Sequence, residues 1–397
     1  MAHLLFWLSA LALVHVYAGY EGGLRLAARI RRPMRPAAPL PETAPPSLSL
    51  LLTVHDEAAR IEARLEDLLA QDYPPHQVEI VVASDGSRDQ TAALVQAFAA
   101  RHPDRRIALV PLPEQGGKSA AQNAALPHLS GEVVVLTDAR TRFAPGFLAA
   151  IAAPYADAKV GCVGGQVLFP GDGSAVARGQ GRYWRSEQAI RALESRFGIL
   201  AVASGQAMSF RRRLFRPLPL HVGDDCIIPL DVAAAGYEVR HQPAAVAFDV
   251  NETRPAREFR ARARMTARNW QGTWRHPALL LPWRHPGYAL ALWSHKVMRW
   301  LSPLFLLGLG GGALALAGRP FYGVCLGLLL AGVVLAGLGA LGRGRTGLFW
   351  WGAGLAYAFL LAQAGFSWGL ILVAGRQRIL AYRNRPVGGS YTGQPLK

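Results

Sequence analysis

The stretch "LSLLLTVHDEAARIEARLEDLLAQDYPPHQVEIVVASDGS" (48–87) predicts a strand, a helix and a second strand. Residues 48–54 are a continuous apolar run, which is typical of a strand that is buried on both faces of a sheet. Apolar residues recur at helical spacing over 57–71, and the apolar run within 77–87 ends in a polar turn. A helix that joins two such strands implies a right-handed crossover, so we expect the two strands to be parallel.

The same alternation of strands and helices continues as far as residue 138. Its repetition predicts an α/β fold with a doubly wound, mostly parallel sheet. The region that follows is mixed in pattern and contains several arginine clusters. The further predicted elements are helices over 88–102 and 117–129 and strands over 106–112 and 132–138.

Acidic residues stand at the ends of three predicted strands. The carboxyl ends of parallel strands meet at one edge of a sheet, and ligands bind in the crevice outside that edge. We therefore expect one binding crevice that these acids line together. The acidic residues are Asp56, Glu57, Asp85 and Asp138.

The chain of 397 residues is strongly basic, with a formal net charge of +17. Such a charge fits nucleic acid, an anionic membrane surface or phosphate-bearing substrates as partners. No base-reading motif accompanies the charge, so we expect no nucleic-acid partner. The three cysteines, Cys162, Cys226 and Cys325, form no Cys-x-x-Cys pair, which disfavours a disulfide framework or a zinc site.

An apolar run over 3–20 is about as long as a bilayer is thick. A cleaved signal peptide would need a basic leader, whereas here the basic run 25–35 follows the apolar one. The positive-inside rule places the N-terminus outside and the chain after residue 25 in the cytoplasm. We expect a retained membrane anchor over 1–24 and a basic, proline-rich linker over 25–47.

Three further apolar runs near the C-terminus are long enough to span a bilayer. They cover 297–318, 321–342 and 347–375. The basic loop 342–347 and the basic tail 375–385 both favour the cytoplasm, although a single run separates them. Either the last run folds back or the tail breaks the charge rule.

An ordered set of motifs runs through the predicted sheet, and it resembles the family 2 glycosyltransferases. The stretch 53–95 carries an acidic strand end and then "SDGSRDQT" (84–91), as the opening of that family does. The resemblance covers roughly 48–303 and implies a GT-A fold and a nucleotide-sugar donor. The later motifs are "GGKSAAQNAAL" (116–126), "TDART" (137–141), "SGQAMSFRRRLF" (204–215), "GDD" (223–225), "EFRARARMTARNWQ" (258–271) and "SHKVMRWLSP" (294–303).

The first two strand ends would hold the donor nucleotide. Asp56, Glu57 and Asp85 can accept hydrogen bonds from the uracil N–H and the ribose hydroxyls. Gly86 would let the backbone approach the donor closely, because it carries no Cβ. The structural alternative is a plain polar turn at Asp85 and Gly86.

Lys118 and Asp138 would meet the donor phosphates. Lys118 would act as a point charge, with a solvated lysine at a helix start as the alternative. Asp138 matches the first acid of the family's Asp-x-Asp motif and would hold Mg²⁺ or Mn²⁺, because hard cations prefer oxygen ligands. Arg140 stands at the position of the second acid. It predicts either a weakened requirement for the divalent cation or an ion pair between Arg140 and a nearby acid.

Asp225 is the candidate general base, which would take the proton of an acceptor hydroxyl as that oxygen attacks the anomeric carbon. Its neighbour Asp224 would raise the proton affinity of Asp225, and a helix N-cap is the alternative role. Arg264 resembles the arginine of the family's Gln-x-x-Arg-Trp motif, although position 261 is Ala. It would stabilise the leaving diphosphate, with a helix face that binds anionic lipid as the alternative.

These expectations combine into a multi-pass protein of the cytoplasmic (inner) membrane with its catalytic domain on the cytoplasmic side. We expect a UDP-sugar as donor, a glycan or polyprenol-linked acceptor, and contact with membrane lipids. The alternatives are a catalytically degenerate membrane scaffold and a component of polymer export coupled to synthesis. The expected segments are the anchor 1–24, the linker 25–47, the glycosyltransferase domain 48–275, an interfacial segment 276–296, membrane helices 297–375 and a basic tail 376–397.

Overall fold

The computed structural model of the chain describes residues 1–30, 45–169, 175–249, 254–342, 345 and 347–376, and for 175–183 the backbone only. The strands are β1 Leu48–Val54, β2 Val78–Ser84, β3 Arg106–Pro111, β4 Val133–Asp138, β5 Arg142–Phe143, β6 Val160–Leu168, β7 Met208–Arg211 and β8 Glu238–Phe248. The helices before residue 250 are α1 Ala2–Ile30, α2 Ile61–Leu69, α3 Thr91–Arg101, α4 Lys118–Ala125, α5 Phe147–Ala152, α6 Ala175–Arg196 and α7 Asp224–Ala234. The later helices are α8 Pro255–Thr273, α9 Pro286–Trp300, α10 Ser302–Ala315, α11 Pro320–Leu341 and α12 Leu348–Ala374.

The strands form one eight-stranded mixed sheet in the order β3-β2-β1-β4-β7-β6-β8-β5. The strands β3, β2, β1 and β4 are mutually parallel where they pair, as the strand and helix alternation predicts. The predicted α/β fold with flanking helices is therefore confirmed. The other half of the sheet contains antiparallel pairs, β4 with β7, β6 with β7 and β5 with β8, which the sequence pattern does not predict.

The central strand β1 is buried on both faces, as its continuous apolar run predicts. Successive side chains of a strand point to opposite faces, so Leu51 joins one core cluster while Leu50 and Leu52 join the other. Ile61 and Leu65 of α2 pack in the second cluster, at the helical spacing that places them on one face. Each fully buried aliphatic side chain contributes roughly 1.5–3 kcal/mol to the free energy of unfolding.

The antiparallel strand β7 brings a distant segment to the carboxyl end of β4. Met208 pairs with Leu136 and Phe210 with Val134, so the start of β7 lies beside the end of β4. The residues that precede β7 are therefore held at the same sheet edge as Asp138. This antiparallel pairing positions part of the candidate site.

Three helices are long and apolar enough to cross a membrane: α1, α11 and α12. The predicted span 297–318 is instead divided, because α9 and α10 meet at a bend of 61°. The bend has a local cause, since α10 begins anew with Pro303 in its first turn. If the bent pair counts as one span, the described chain has up to four candidate spans, one N-terminal and three C-terminal.

Close helix packing joins a candidate membrane helix, α12, to the mixed domain. Two glycines of α12 lie against α8, where a Cβ at Gly365 would be 3.0 Å from Arg262 Cβ and a Cβ at Gly369 would be 2.6 Å from Thr266 Cβ. Small residues let two helix backbones approach in this way. The C-terminal half of α12 therefore runs along α8.

The predicted segment boundaries stay predictions. Most of the proline-rich linker, 31–44, and the basic tail, 377–397, lie outside the described residues. Three positions of the basic loop between α11 and α12 also lie outside them.

The α8 and α12 packing can be tested with a pair of glycine substitutions on one helix. Gly369→Leu should lower the free energy of unfolding by roughly 1–3 kcal/mol, because the added side chain overpacks the contact with Thr266. Gly352→Leu is the matched control, since no atom lies within 4 Å of a Cβ built at Gly352. The measurement is thermal unfolding of both variants in detergent. Equal melting temperatures would show that the two helices do not pack as described.

Candidate active site

A cavity of about 560 Å³ opens at the carboxyl ends of β1, β2 and β4. Its floor consists of strand ends and the start of α7, and one wall comes from α8, α9 and α12. Seven of the nine predicted site residues line it: Glu57, Asp85, Lys118, Asp138, Asp224, Asp225 and Arg264. The fold thus brings most of the predicted residues into one cavity.

Asp56 and Gly86, the other two predicted residues, lie outside the described lining of the cavity. The backbone of Asp56 is left-handed, with φ of 53°, and its Oδ1 accepts a hydrogen bond from the Arg88 N–H at 2.8 Å. Gly86 also has a positive φ, 60°, and a Cβ there would lie 2.4 Å from the carbonyl carbon of Glu114. Gly86 therefore lets the segment around Glu114 pack closely, and the donor-binding roles of both residues stay predictions.

Asp85 orders the turn that precedes α4. Its carboxylate accepts hydrogen bonds from the backbone N–H groups of Gly116 at 2.7 Å and Gly117 at 3.0 Å. The Asp85 side chain is 4% exposed, so its partners come from the protein rather than from bulk water. These bonds fix the start of α4 and therefore the position of Lys118.

The Lys118 ammonium bridges two carboxylates at the centre of the cavity. Its Nζ lies 2.9 Å from Asp138 Oδ1 and 3.0 Å from Asp224 Oδ2. Burial lowers the pKa of Lys118, but Asp138 and Asp224 outweigh burial and raise that pKa above its usual value. Lys118 is therefore a permanent cation in this site.

The adjacent acids Asp224 and Asp225 have pKa values that shift in opposite directions. Burial raises the pKa of Asp224, but Lys118 and a hydrogen bond from Gln122 Nε2 at 2.9 Å outweigh burial and hold the pKa low. Burial and the charge of Asp224 raise the pKa of Asp225 above its usual value. One acid is thus held ionised while its neighbour has a higher proton affinity, as is expected of a general base.

Arg140 contacts an acid of the first strand end. Its Nε lies 3.6 Å from Glu57 Oε1, and both side chains line the cavity. Glu57 also accepts a hydrogen bond from Arg60 Nη1 at 3.0 Å. Of the two roles that the sequence leaves open for Arg140, the structure thus contains the ion pair.

The arginine-rich helix α8 forms part of the cavity wall. Arg262, Arg264 and Arg268 all line the cavity. Arg268 donates to the Val222 carbonyl at 2.5 Å and so ties α8 to the segment before α7. Arg262 donates to Glu258 Oε1 at 2.5 Å, one helical turn away.

Several residues that the sequence does not single out also line the cavity. Three of them stand outside the motifs that carry the family resemblance, so no local pattern identifies Glu187, Arg191 and Phe366. The others belong to such motifs, but only the fold places them in the cavity. The additional lining residues include Glu187, Arg191, Ser204, Arg268, Asn269, Lys296, Trp300 and Phe366.

The sequence of the chain matches a known family over more than half its length. The model of the family described as "Glycosyltransferase like family 2" matches residues 45–272. These residues include all eight strands of the sheet and most of the cavity lining.

Curated proteins of known activity also resemble the chain. The N-acetylglucosaminyltransferase of Rhizobium meliloti is 29% identical over 226 residues, which cover 53% of this chain and 52% of that protein. The N-acetylglucosaminyltransferase of Mesorhizobium japonicum is 28% identical over 220 residues, covering 52% and 51%. The chain spans about half the length of the curated relatives it matches.

A solved structure shares the fold over almost the whole chain. It is the mannosyltransferase PcManGT from Pyrobaculum calidifontis in complex with GDP-Man and Mn²⁺. The TM-score is 0.69 at 23% identity, and the likeness covers 92% of this chain and 98% of that chain. This likeness shows a GT-A-like mixed sheet with flanking helices.

Replacing Lys118 tests the ionic bridge that it forms between Asp138 and Asp224. Lys118→Met should lower the free energy of unfolding at pH 7 by about 1–3 kcal/mol, because it leaves the buried Asp224 and the partly exposed Asp138 without their cation. The pKa of Asp224 is depressed in the folded protein, so the pair stabilises above the unfolded value of about 3.9 and loses this effect as the pH falls.

The deficit of Lys118→Met should therefore be largest near neutral pH and shrink in acid. Thermal unfolding as a function of pH measures it, and Lys159→Met, at an exposed lysine, is the control. A deficit that does not change with pH would contradict the ionic bridge.

Proposed function

The chain belongs to glycosyltransferase family 2, and we propose that its cavity transfers a sugar from a nucleotide-sugar donor to an acceptor hydroxyl. The transfer inverts the anomeric carbon, and the expected donor is a UDP-sugar. The observation that carries the proposal is the convergence of Lys118, Asp224 and Asp225 in one cavity at the strand ends. A fixed cation stands there beside an acid of raised pKa. Phosphate binding and proton removal need those two groups close together.

The donor would lie along the strand ends. Glu57 and Asp85 line the cavity at the ends of β1 and β2, within reach of a nucleoside. Lys118 would draw the diphosphate toward Asp138, because its ammonium already lies among the residues of that edge. Asp56 and Gly86 shape the turns behind this surface and are proposed as donor contacts on the family motif alone.

Asp138 fits a divalent cation that is shared with the donor. Mg²⁺ is commonly held by one or two carboxylates together with substrate phosphates, and Asp138 offers one carboxylate. Among the described residues, no group of three or more His, Cys, Asp or Glu side chains could hold an ion by itself. Asp138 would hold Mg²⁺ or Mn²⁺, and the ion would neutralise phosphate charge. Lys118 and Arg140 are protein cations in the same cavity, so we propose a weakened metal requirement.

Asp225 would be the general base of a single displacement. Its carboxylate takes the proton of the acceptor hydroxyl while that oxygen forms a bond to the anomeric carbon. The bond from the anomeric carbon to the phosphate oxygen breaks, and the electron pair leaves with the nucleoside diphosphate. One displacement inverts the anomeric configuration. Asp224, which Lys118 holds ionised, keeps the proton affinity of Asp225 high.

Arg264 would stabilise the charge on the leaving diphosphate. It lines the cavity from α8, where Arg262 and Arg268 lie close in the same wall. Guanidinium groups hold phosphate oxygens with paired hydrogen bonds, which gives this wall the right chemistry. Contact of the same helix with anionic lipid headgroups remains compatible with this role.

The acceptor would enter from the side of the membrane helices. Trp300 of α9 and Phe366 of α12 line the cavity, so apolar groups from candidate membrane segments border the site. A glycan or polyprenol-linked acceptor fits such an opening. We place the catalytic domain on the cytoplasmic side of the inner membrane, because a basic run follows α1. Since the curated relatives are N-acetylglucosaminyltransferases, UDP-N-acetylglucosamine is the first donor to test.

A catalytically degenerate membrane scaffold is the second candidate function. It is favoured by Arg140 at the second position of the Asp-x-Asp motif and by Ala261 in the arginine motif. A scaffold, or a component of polymer export, would bind no nucleotide sugar and release no nucleoside diphosphate from any donor of a panel. Donor turnover by the purified protein separates these functions from the transferase.

The role of Asp225 predicts a specific loss of chemistry. Asp225→Asn should lower kcat by roughly 100-fold or more, because a general base commonly contributes 10²–10⁴. Donor affinity should change little, since the donor contacts lie on Lys118, Asp138 and the strand ends. In the wild type, kcat/KM should fall as the pH drops through the Asp225 pKa, which lies above the usual aspartate range. Full turnover by purified Asp225→Asn would remove Asp225 from the mechanism.

The metal requirement can be tested by chelation. We expect the wild type to retain part of its activity in EDTA, whereas Arg140→Asp should depend more strongly on added Mg²⁺ or Mn²⁺, because it restores a second carboxylate ligand. Titration of each ion against initial rate gives the comparison. Complete loss of wild-type activity in EDTA, together with an Arg140→Asp variant that needs no more metal, would refute the weakened requirement.

A further inference from the structure

A largely buried cluster of charged side chains joins α6 to α9 beside the cavity. Side chains of opposite sign contact one another throughout it. Tyr20 of α1 also reaches the cluster and donates to Glu194 Oε1 at 2.9 Å. We call it the Glu187 cluster, and its members are Glu187, Arg191, Glu194, His295, Lys296 and Arg299.

Glu187 is the centre of the cluster, with 3% of its surface exposed. Its Oε1 accepts hydrogen bonds from Lys296 Nζ at 2.7 Å and Arg191 Nη2 at 3.2 Å. Its Oε2 lies 2.9 Å from His295 Nε2 and accepts from Arg299 Nη1 at 2.7 Å. Burial raises the pKa of Glu187, but His295, Lys296 and Arg191 outweigh burial and hold the pKa well below its usual range. Three side chains of α9 thus bind one carboxylate of α6.

Arg191 extends the cluster toward the catalytic acids. Its Nε and Nη2 donate to Glu187 Oε1, while Nη1 donates to Ser204 Oγ at 2.6 Å. Arg191 is 5% exposed and Ser204 is also 5% exposed, so this bond is shielded from water. The guanidinium therefore joins α6 to the segment that precedes β7.

The segment around Ser204 packs directly on the acid pair. The Ala203 N–H donates to the Asp225 carbonyl at 3.1 Å. A Cβ at Gly205 would lie 3.2 Å from the Asp224 carboxylate oxygens. A shift of Ser204 would therefore move the backbone that holds Asp225.

We propose that Arg191 is a positioning residue for Asp225. It fixes the 203–205 segment against the proposed base and supplies a positive charge beside it. Glu187 and the side chains of α9 hold Arg191 in place. This inference rests on the proposed function of Asp225 and goes beyond it. The Glu187 cluster then has a role in the proposed catalysis as well as in joining α6 to α9.

The charges that surround Asp225 come from several elements. Asp224 on the same helix raises the pKa of Asp225, whereas Lys118 of α4 and Arg191 of α6 lower it, as does a hydrogen bond from Asn269 of α8. Lys296 of α9 lines the same cavity. Removal of the Arg191 charge should therefore raise the pKa of Asp225 further.

The two parts of the Arg191 role can be separated by choice of side chain. A lysine keeps the positive charge, but its single ammonium cannot reproduce the fork that contacts Glu187 and Ser204 together. A glutamine removes the charge as well. Ser204→Ala removes the bond to the segment and leaves every buried charge in place.

The experiment measures kcat, the donor KM and the pH profile of kcat/KM in the full-length protein. Arg191→Gln should lower kcat roughly 10- to 100-fold, since a small misplacement of a catalytic group has effects of that size. Its acid limb should move to higher pH, with the donor KM little changed. Arg191→Lys should keep the wild-type acid limb but have a reduced kcat, and Ser204→Ala should behave in the same way. Arg196→Gln, at an exposed arginine of the same helix, is the matched control and should match the wild type.

An acid limb that stays in place in Arg191→Gln, or one that moves equally far in Arg191→Lys, would overturn the proposal. A wild-type kcat in Ser204→Ala would also count against it. If Arg191→Gln does not fold, as judged by thermal unfolding, the kcat values and acid limbs of Arg191→Lys and Ser204→Ala test the proposal. Asp225→Asn is measured in parallel. Normal turnover by Asp225→Asn refutes the proposed base itself, whereas an inactive Asp225→Asn beside normal Arg191 variants refutes only this inference.

Discussion

The Lys118 ammonium, held between Asp138 and Asp224, is the interaction on which the rest of the site depends. Asp138 ends a strand of the parallel half of the sheet, whereas Asp224 begins a helix that packs on β6 and β8 in the other half. Lys118 itself is fixed by the bonds of Asp85 to the turn before α4. The Lys118 ammonium thus holds together two carboxylates that come from different halves of the sheet domain. Lys118 also holds the pKa of Asp224 low, while the charge of Asp224 raises the pKa of Asp225, as the proposed role of Asp225 as a base requires.

The sequence predicts the parallel half well, because buried parallel strands are continuous apolar runs and their acidic ends share one edge. Glu57, Asp85 and Asp138 follow from that rule alone. Asp224, Asp225 and Arg264 follow from family motifs rather than from periodicity. The antiparallel pairs are not predicted, because each of them includes β5 or β7, which have only two and four residues, too few for a pattern. Arg191 reaches Ser204 through the fold, and no local pattern reports such a contact.

The bend between α9 and α10 lies where the candidate membrane helices meet the candidate site. The end of α9 is tied to Glu187 by His295, Lys296 and Arg299, so it stays with the mixed domain and a new helix begins at Ser302. The same arrangement places Trp300 at the cavity wall. The break between α9 and α10 therefore lies next to the cavity, where the candidate site borders the candidate membrane helices. The apolar run that suggested one continuous helix carries no signal of this division beyond its proline.

The product of a single reaction in lipid nanodiscs tests the proposed inverting transfer most directly. The full-length protein would be incubated with isotopically labelled nucleotide sugars, beginning with UDP-N-acetylglucosamine, and with an extract of membrane lipids and glycans. Mass analysis and nuclear magnetic resonance would then follow both products. An inverting transferase should release one nucleoside diphosphate for each sugar transferred, and the product should have an anomeric configuration opposite to that of the donor. A product that retains the configuration of the donor, or the lack of transfer from every donor of the panel, would refute inverting transfer by this cavity.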